Sequence, residues 1–317
     1  MSSKKDLSIV FMGTPDFAVT ILKKLVEESF NIVGVITAPD KPAGRGRKLK
    51  SSAVKVYAED QNLNVLQPTN LKSESFIQEL ASLQPDLQIV VAFRMLPKIV
   101  WSLPKYGTFN LHASLLPDYR GAAPIHWAII NGETKTGATT FFIDEKIDTG
   151  EIILAKETTI SNNETVGSLH DKLMHLGADL VTETVTAIIN KEVSTTKQPT
   201  KAPKLAPKLT RENTRVDWNR PTKEVYNFIR GLNPFPAAWT SILNGEEETT
   251  AKLYKVTMNL EDQKVTPGSI IQSKNNLSVA TSDGFIHIHE MKVAGKKKMA
   301  IQDLLNGYYF EIGSKML

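Results

Sequence analysis

The chain has 317 residues, of which 41% are hydrophobic and 23% are charged. This is typical of a folded globular protein with one large domain or two ordinary ones. The chain has no cysteine, which excludes disulfides, thiolate metal sites and a cysteine nucleophile, and fits a cytoplasmic location. No apolar run is long enough to span a bilayer, so no membrane partner is expected. The first residues, MSSKKDLSIVFMG, predict a strand rather than a signal peptide, because the apolar run ends early at a glycine.

Positive charge is concentrated in the last part of the chain. Residues 195–317 carry 18 Lys/Arg and 12 Asp/Glu, whereas residues 1–194 carry 20 and 22, so the net charges are +6 and −2. A basic second part is typical of a protein that binds a polyanion. Ordinary solvated surface explains the same surplus equally well, so charge alone leaves both interpretations open.

Short apolar runs alternate with amphipathic helical patterns through the first part of the chain. Strands are predicted at 7–12, 31–37, 65–66 and 87–92, and helices at 17–28, 52–61 and 73–83. This alternation predicts an α/β fold with a largely parallel sheet. The turn after the first strand, GTPD, lacks the Gly-x-Gly-x-x-Gly spacing, so we exclude a dinucleotide cofactor.

The most unusual stretch is residues 107–150. Residues 107–112 alternate like a strand and place Asn110 and His112 on one face. A carboxamide can donate a hydrogen bond to a developing oxyanion, and an imidazole can hold a proton near neutral pH. The polar loop 144–150 could bring the carboxylate of Asp148 to the same place. Chemistry alone leaves a second interpretation open, in which Asn110 and His112 line a solvated strand face and Asp148 caps a turn.

The pattern of predicted elements changes after residue 190, from alternating strands and helices to a linker followed mainly by short strands. A helix at 123–131, strands at 136–142 and 151–157 and a long helix at 166–189 complete the first pattern. Residues 195–210 then contain three prolines and four lysines, which predicts a stiff basic linker. Beyond it, a helix at 222–230 and short strands at 240–243, 251–258, 269–272, 277–281 and 285–290 predict a small β-barrel, a fold that often binds nucleic acid.

Five segments, in this order, carry a resemblance that covers nearly the whole chain. They are FMGTPDF at 11–17, NLHASLLP at 110–117, YRGAAP at 119–124, DTG at 148–150 and GLNPFPA at 231–237. With them the chain resembles the formyltransferases that use 10-formyltetrahydrofolate. The resemblance implies a Rossmann-like formyltransferase domain at 1–190, a basic Pro/Lys linker at 191–209 and an OB-like tRNA-binding barrel at 210–317.

The resemblance also implies a reaction. The expected activity is transfer of the formyl group of 10-formyltetrahydrofolate, a cosubstrate, to the α-amino group of methionyl-initiator tRNA, for translation initiation. Asn110 and a protonated His112 would stabilise the negative oxygen of the tetrahedral species, and Asp148 would order a proton-relay water. Neither a metal nor a covalent intermediate is needed, and we expect a monomer.

The resemblance assigns further residues to binding. The folate site would include Phe93 and the loop formed by Ser114, Leu115, Leu116 and Pro117. Many relatives have Tyr-Gly where this chain has Phe93-Arg94, so the shape of that wall is expected to differ. The tRNA acceptor end would meet the basic loop that contains Lys41, Arg45, Arg47 and Lys48. The alternative for this loop is solvated surface.

Three competing functions follow from the same residues. A sister enzyme would formylate a sugar nucleotide or a glycinamide ribonucleotide, and the basic loop at Arg45 and the barrel argue against it. A non-catalytic RNA-binding protein would have no use for Asn110, His112 and Asp148 together. A hydrolase that releases formate would act on the cosubstrate alone, which an assay without tRNA distinguishes.

Overall fold

The structure is a computed structural model that describes residues 4–43, 48–202 and 204–317. The chain divides into two units, and neither is continuous in sequence. Unit 1 comprises Met1–Gly121, Thr136–Thr158 and His170–Leu205. Unit 2 comprises Ala122–Lys135, Thr159–Leu169 and Ala206–Leu317. The boundaries inferred from the sequence, 1–190, 191–209 and 210–317, stay a prediction.

In chain order the elements are β1 (Ile9–Gly13), α1 (Asp16–Glu27), β2 (Ile32–Ile36), β3 (Lys41–Ala43), β4 (Lys48–Lys50), α2 (Ala53–Asp60), β5 (Val65–Leu66), α3 (Glu74–Ser82), β6 (Leu87–Val91), α4 (Lys98–Trp101), β7 (Thr108–His112), β8 (Arg120–Gly121), α5 (Pro124–Ile130), β9 (Lys135–Phe142), β10 (Ile152–Thr159), α6 (Val166–Asn190), β11 (Leu205–Ala206), α7 (Thr222–Leu232), β12 (Ala238–Asn244), β13 (Glu247–Leu260), β14 (Ile270–Gln272), β15 (Leu277–Thr281), β16 (Gly284–Val293), β17 (Met299–Ala300), α8 (Ile301–Leu305) and β18 (Lys315–Met316).

Unit 1 is built on a mixed sheet whose described strands have the order β10-β9-β7-β6-β1-β2-β5. The strands from β7 to β5 are parallel, whereas β9 runs antiparallel to β7. β1 and β6 are buried along their whole length, which explains why their sequences read as continuous apolar runs rather than as alternation. The predicted Rossmann-like α/β fold is confirmed. Because β6 and β7 are parallel neighbours, the segments that follow them emerge at the same edge of the sheet, where α/β proteins bind ligands.

Unit 2 is an antiparallel sheet with the described strand order β14-β15-β16-β13-β12-β18 and with β17 paired to β16. Its core contains the fully buried Ile229 and Leu253 and the nearly buried Trp218. α7 packs over this sheet, and α5 packs against α7. The predicted small β-barrel is confirmed, and α5 contributes to the packing of this unit although it precedes the barrel strands by more than 100 residues.

Two connecting segments have more structure than the sequence indicated. The flanks of the basic loop pair as β3 and β4, with Lys41 opposite Lys50, whereas Arg45 and Arg47 lie outside the described residues. Further on, the backbone of Thr196 exchanges two hydrogen bonds of 2.9 Å with that of Ile152. The first residues of the Pro/Lys stretch are therefore attached to unit 1.

No helix in the described ranges is both long and apolar enough to cross a membrane.

Candidate active site

Asn110 and His112 lie two residues apart on β7 and therefore project from the same face. Asn110 is half-buried and stands in register between Val90 of β6 and Phe141 of β9. His112 is only 6% exposed. Within the described part of the chain, the Asn110 carboxamide has no hydrogen-bond partner, so its donors are free for a ligand.

The two ring nitrogens of His112 have different partners. Nε2 lies 2.8 Å from the carbonyl oxygen of Tyr119, and because a carbonyl only accepts, Nε2 carries the proton and donates. Nδ1 faces Oδ2 of Asp148 at 3.7 Å, which is longer than a hydrogen bond. Catalytic hydrogen bonds are often long before substrate binds. Nδ1 is therefore the ring nitrogen through which His112 can reach a substrate.

The Asp148 backbone has a left-handed conformation, with φ of 54°. Asp adopts this region more readily than most residues, but still at a cost. Its Oδ2 accepts a hydrogen bond of 2.9 Å from the backbone N–H of Gly121. The side chain is 14% exposed. The structure thus brings His112 and Asp148, which are 36 residues apart in the sequence, to the same place.

The segment Tyr119 to Gly121 supports both of these residues, and the sequence analysis assigned it no role. Tyr119 supplies the carbonyl for His112 and has a left-handed φ of 62°, and Gly121 supplies the N–H for Asp148. Arg120, between them, is 8% exposed and donates to Gln198. Gln198 was also missed, because it lies in a Pro/Lys stretch that reads as a linker.

The loop predicted to hold folate is fixed from within. Ser114 is fully buried, and its hydroxyl donates to the Asp118 carbonyl at 2.7 Å. The Thr139 hydroxyl donates to the Ser114 carbonyl at 2.7 Å and accepts from the Leu116 N–H at 3.1 Å. The Ser114 hydroxyl therefore shapes the loop. The assignment of Ser114, Leu115, Leu116 and Pro117 to a folate site stays a prediction.

Arg94 braces the turn that carries Phe93, the other predicted folate residue. The guanidinium lies 5.6 Å from the centre of the Phe93 ring. It donates to the Thr69 carbonyl at 3.0 Å and also to that of Pro68. Burial lowers the pKa of the Arg94 guanidinium. The Phe93-Arg94 pair thus gives this wall an anchor that a Tyr-Gly pair could not supply.

Unit 2 carries a cleft of about 640 Å³ that is lined by aromatic and basic side chains. The guanidinium carbons of Arg211 and Arg215 lie 4.6 Å and 5.5 Å from the ring centre of Trp239. Neither arginine has a salt bridge to a carboxylate in the residues that the structure describes. The remaining lining includes Phe235, Lys252, Tyr254 and Lys292. Cations beside partly exposed aromatic rings can hold phosphate groups and stack on bases.

Two family models match the chain in sequence order. The formyl transferase model matches residues 7–185, and the model of the formyl transferase C-terminal domain matches residues 208–309. The chain is 53% identical over 311 residues to the methionyl-tRNA formyltransferase of Flavobacterium johnsoniae, covering 98% of this chain and 99% of that protein. It is 52% identical to the methionyl-tRNA formyltransferase of Bacteroides fragilis, covering 99% and 98%.

Solved structures of lower identity share the fold. The sugar 3N-formyl transferase WlaRD, studied with dTDP and 5-N-formyl-THF, matches with a TM-score of 0.64 at 22% identity, covering 92% of this chain and 99% of that one. HypX from Aquifex aeolicus in complex with tetrahydrofolic acid matches with a TM-score of 0.63 at 20% identity, covering 94% and 46%. The family models and the relatives at 52–53% identity establish that the chain belongs to the formyl transferase family.

Proposed function

We propose that the chain transfers the formyl group of 10-formyltetrahydrofolate to the α-amino group of methionyl-initiator tRNA. The methionyl-tRNA formyltransferases of Flavobacterium johnsoniae and Bacteroides fragilis are 53% and 52% identical to it over almost the whole of both chains. The observation that carries the chemistry is the arrangement of His112 beside Asp148, with Asn110 free on the same strand face. A carboxamide and an imidazole can stabilise the oxyanion of acyl transfer to an amine, and a carboxylate can accept the amine's proton.

The first step is attack of the amine on the formyl carbon. A free α-amino group titrates near pH 7.7–8.0, so a useful fraction is neutral and nucleophilic at neutral pH. Attack forms the new C–N bond and leaves a negative oxygen and a positive nitrogen. Asn110 donates an N–H to that oxygen, and protonated His112 donates through Nδ1. Nε2 stays bonded to the Tyr119 carbonyl, so the ring keeps its orientation.

The second step moves one proton and breaks the old bond. The attacking nitrogen loses a proton, through an ordered water, toward Asp148. N10 of tetrahydrofolate receives this proton from Asp148 through the same water as its bond to the formyl carbon breaks, and the oxyanion collapses to the new amide. One proton thus passes from the amine to N10 and no electron is gained or lost, so this route needs no redox partner, and with Asn110 and His112 stabilising the oxyanion it uses no metal. The carboxylate that takes this proton lies beside His112, with Oδ2 of Asp148 at 3.7 Å from Nδ1.

The RNA contacts are proposed for two basic surfaces. One is the loop that contains Lys41, Arg45, Arg47 and Lys48, whose flanks form β3 and β4. The other is the unit 2 cleft with Arg211, Arg215 and Trp239. In this division of labour, residues 1–190 carry the chemistry and the loop contacts to tRNA, and residues 210–317 supply the second tRNA surface. We propose that the enzyme acts as a monomer in the cytoplasm, with Phe93 and the loop at Ser114 forming the folate wall.

The decisive experiment follows labelled formyl groups from 10-formyltetrahydrofolate. Purified protein is mixed with methionyl-initiator tRNA, and the label is expected in formylmethionyl-tRNA. Uncharged initiator tRNA controls for transfer to RNA itself, methionyl-elongator tRNA tests selectivity, and a reaction without RNA measures release of formate. Transfer to an amino sugar nucleotide in place of methionyl-tRNA, or formate release alone, would overturn the proposal in favour of a sugar formyltransferase or a hydrolase.

A further inference from the structure

We infer that Gln198 is a positioning residue that holds the Asp148 loop in its working conformation. This inference rests on the proposed function, because it concerns how that reaction's carboxylate is placed. Gln198 is half-buried in a stretch whose neighbours Lys197 and Pro199 are exposed. Its side chain therefore points into unit 1 while the adjacent side chains meet solvent.

The Gln198 carboxamide uses its full hydrogen-bonding capacity. Its Nε2 donates to the Asp148 carbonyl at 3.1 Å and to the Gly150 carbonyl at 2.7 Å. Its Oε1 accepts from Nε of Arg120 at 3.1 Å and from Nη2 at 2.7 Å. Carbonyls only accept and guanidinium groups only donate, so chemistry fixes which way the carboxamide points. Two donors and two acceptor positions are all matched.

These hydrogen bonds connect the segments on both sides of the candidate catalytic pair, His112 and Asp148. Arg120 stands between Tyr119, which bonds His112, and Gly121, which bonds the Asp148 carboxylate. Gln198 then ties Arg120 to the backbone of Asp148. Asp148 is thus held at two points. Its carboxylate accepts from the Gly121 N–H, and its backbone carbonyl accepts from Gln198, a residue 50 positions later. A third hydrogen bond from Arg120, to the Pro199 carbonyl at 2.9 Å, holds the same segment.

The Asp148 backbone needs such support. Left-handed conformations of non-glycine residues cost free energy and persist where surrounding contacts determine them. Gln198 binds the carbonyl of the strained Asp148 itself and that of Gly150 two residues later, and these two hydrogen bonds form a latch on the loop. Without it, the loop would keep the Gly121 contact, exposed hydrogen bonds from the Thr149 hydroxyl to the Asp144 carboxylate, and an exposed ion pair between Lys98 and Glu145. Exposed pairs contribute little. Loss of the latch should therefore displace the carboxylate relative to His112.

The test uses full-length protein and three variants. Gln198→Met keeps the size of the side chain but removes all four hydrogen bonds, and Gln198→Glu keeps the acceptor for Arg120 but removes the two donors. Gln78→Met makes the same chemical change at an exposed position on α3. Formylation of methionyl-initiator tRNA gives kcat and KM, and amide hydrogen exchange reports on residues 144–151. Thermal unfolding reports whether each variant is folded.

Both Gln198 variants should lower kcat by roughly 10- to 100-fold, since misplacing a catalytic group by about 1 Å has effects of this size. KM for both substrates should stay close to wild type, amide exchange in 144–151 should become faster, and Gln78→Met should match wild type. Unchanged kcat and exchange in folded Gln198→Met would overturn the inference, as would a normal Gln198→Glu. If Gln198→Met does not fold, the kcat and amide exchange of Gln198→Glu decide whether the inference holds. If the wild-type protein does not formylate methionyl-tRNA, the proposed function is overturned instead, and amide exchange in residues 144–151 still tests whether Gln198 holds the loop.

Discussion

Nδ1 of His112 and Oδ2 of Asp148 face each other at 3.7 Å, close enough for their charges to interact but too far for a direct hydrogen bond. The opposite nitrogen of the ring is held by the Tyr119 carbonyl. A substrate oxygen that approaches Nδ1 can therefore gain a hydrogen bond without breaking one. An imidazolium in this place has a donor toward the substrate and a fixed carboxylate beside it.

Replacing Asn110, His112 or Asp148 singly with Ala should reduce kcat strongly while the protein stays folded. Loss of one oxyanion donor typically costs about 10²–10³ in rate. The triple variant should lose far less than the product of the three effects, because the groups act together. Single-turnover formylation measures these losses, and His287→Ala, on the sheet of unit 2, is the matched control. Near-normal turnover by folded His112→Ala would contradict the proposed mechanism.

Gly137→Ala should disturb the predicted folate loop. An added Cβ would lie 2.0 Å from the Lys156 carbonyl oxygen and 2.6 Å from Cδ2 of Leu115, so β10 or Leu115 must move. Overpacking of this kind costs roughly 1–3 kcal/mol, and KM for the folate should rise. Gly307→Ala is the control, because no atom of the described residues lies within 4 Å of its added Cβ. Urea unfolding and folate titration measure the two effects, and a normal folate affinity in a destabilised protein would separate Leu115 from the folate site.

Local sequence patterns predicted the strand and the loop that carry the candidate catalytic residues. The alternation around Asn110 and His112 placed them on one strand, and the polar turn formers placed Asp148 in a loop. What sequence could not show are contacts between distant segments. Gln198 looks like any polar residue of a Pro/Lys stretch until its carboxamide meets Arg120. The sequence predicted the helix at 123–131 that forms α5, but only the structure shows that it packs against α7.

Asp283 should stabilise unit 2 in a pH-dependent way. Its Oδ1 accepts from the Thr222 N–H and hydroxyl, both at 2.7 Å, at the start of α7. These hydrogen bonds lower the pKa of the Asp283 carboxyl. A lowered folded-state pKa adds stability above the unfolded value, near 3.9, and this stability is lost as pH falls through the folded value.

Asp283→Ala should therefore destabilise the protein by about 1 kcal/mol at pH 7, the usual size for loss of a helix cap. The difference from wild type should shrink below about pH 4. Urea midpoints at several pH values measure it, and Asp303→Ala, at an exposed position on α8, is the control. A difference that stays constant down to pH 3 would mean that shape, rather than charge, accounts for the effect.

Arg45→Ala should lower catalytic efficiency with tRNA and leave folate affinity unchanged. The reason is its place in a Gly-Arg-Gly segment of a basic loop, where a planar guanidinium can grip phosphate or stack on a base. Arg45→Lys should restore only part of the loss if planar contact matters, and most of it if charge alone matters. Steady-state kinetics at two salt concentrations separates these cases. Wild-type behaviour of Arg45→Ala would assign the loop to solvated surface.

Arg211→Gln and Arg215→Gln should weaken tRNA binding through the unit 2 cleft. Each guanidinium lies against Trp239 and forms no salt bridge to a carboxylate among the described residues. If each neutralises one phosphate, each substitution should reduce the slope of log affinity against log salt by roughly one unit. Arg220→Gln is the matched control, because Arg220 already pairs with Glu224 at 3.2 Å.

The unit 2 measurement also separates two kinds of contact. Trp239→Leu removes the ring on which both guanidinium groups rest and any stacking with a base, which is worth about 1–3 kcal/mol per base. A weaker tRNA complex with an unchanged salt slope would indicate stacking, whereas a reduced slope would indicate that the ring acts by placing the arginines. Equal binding by wild type, Arg211→Gln, Arg215→Gln and Trp239→Leu would contradict an RNA contact in this cleft and leave the basic loop as the proposed tRNA surface.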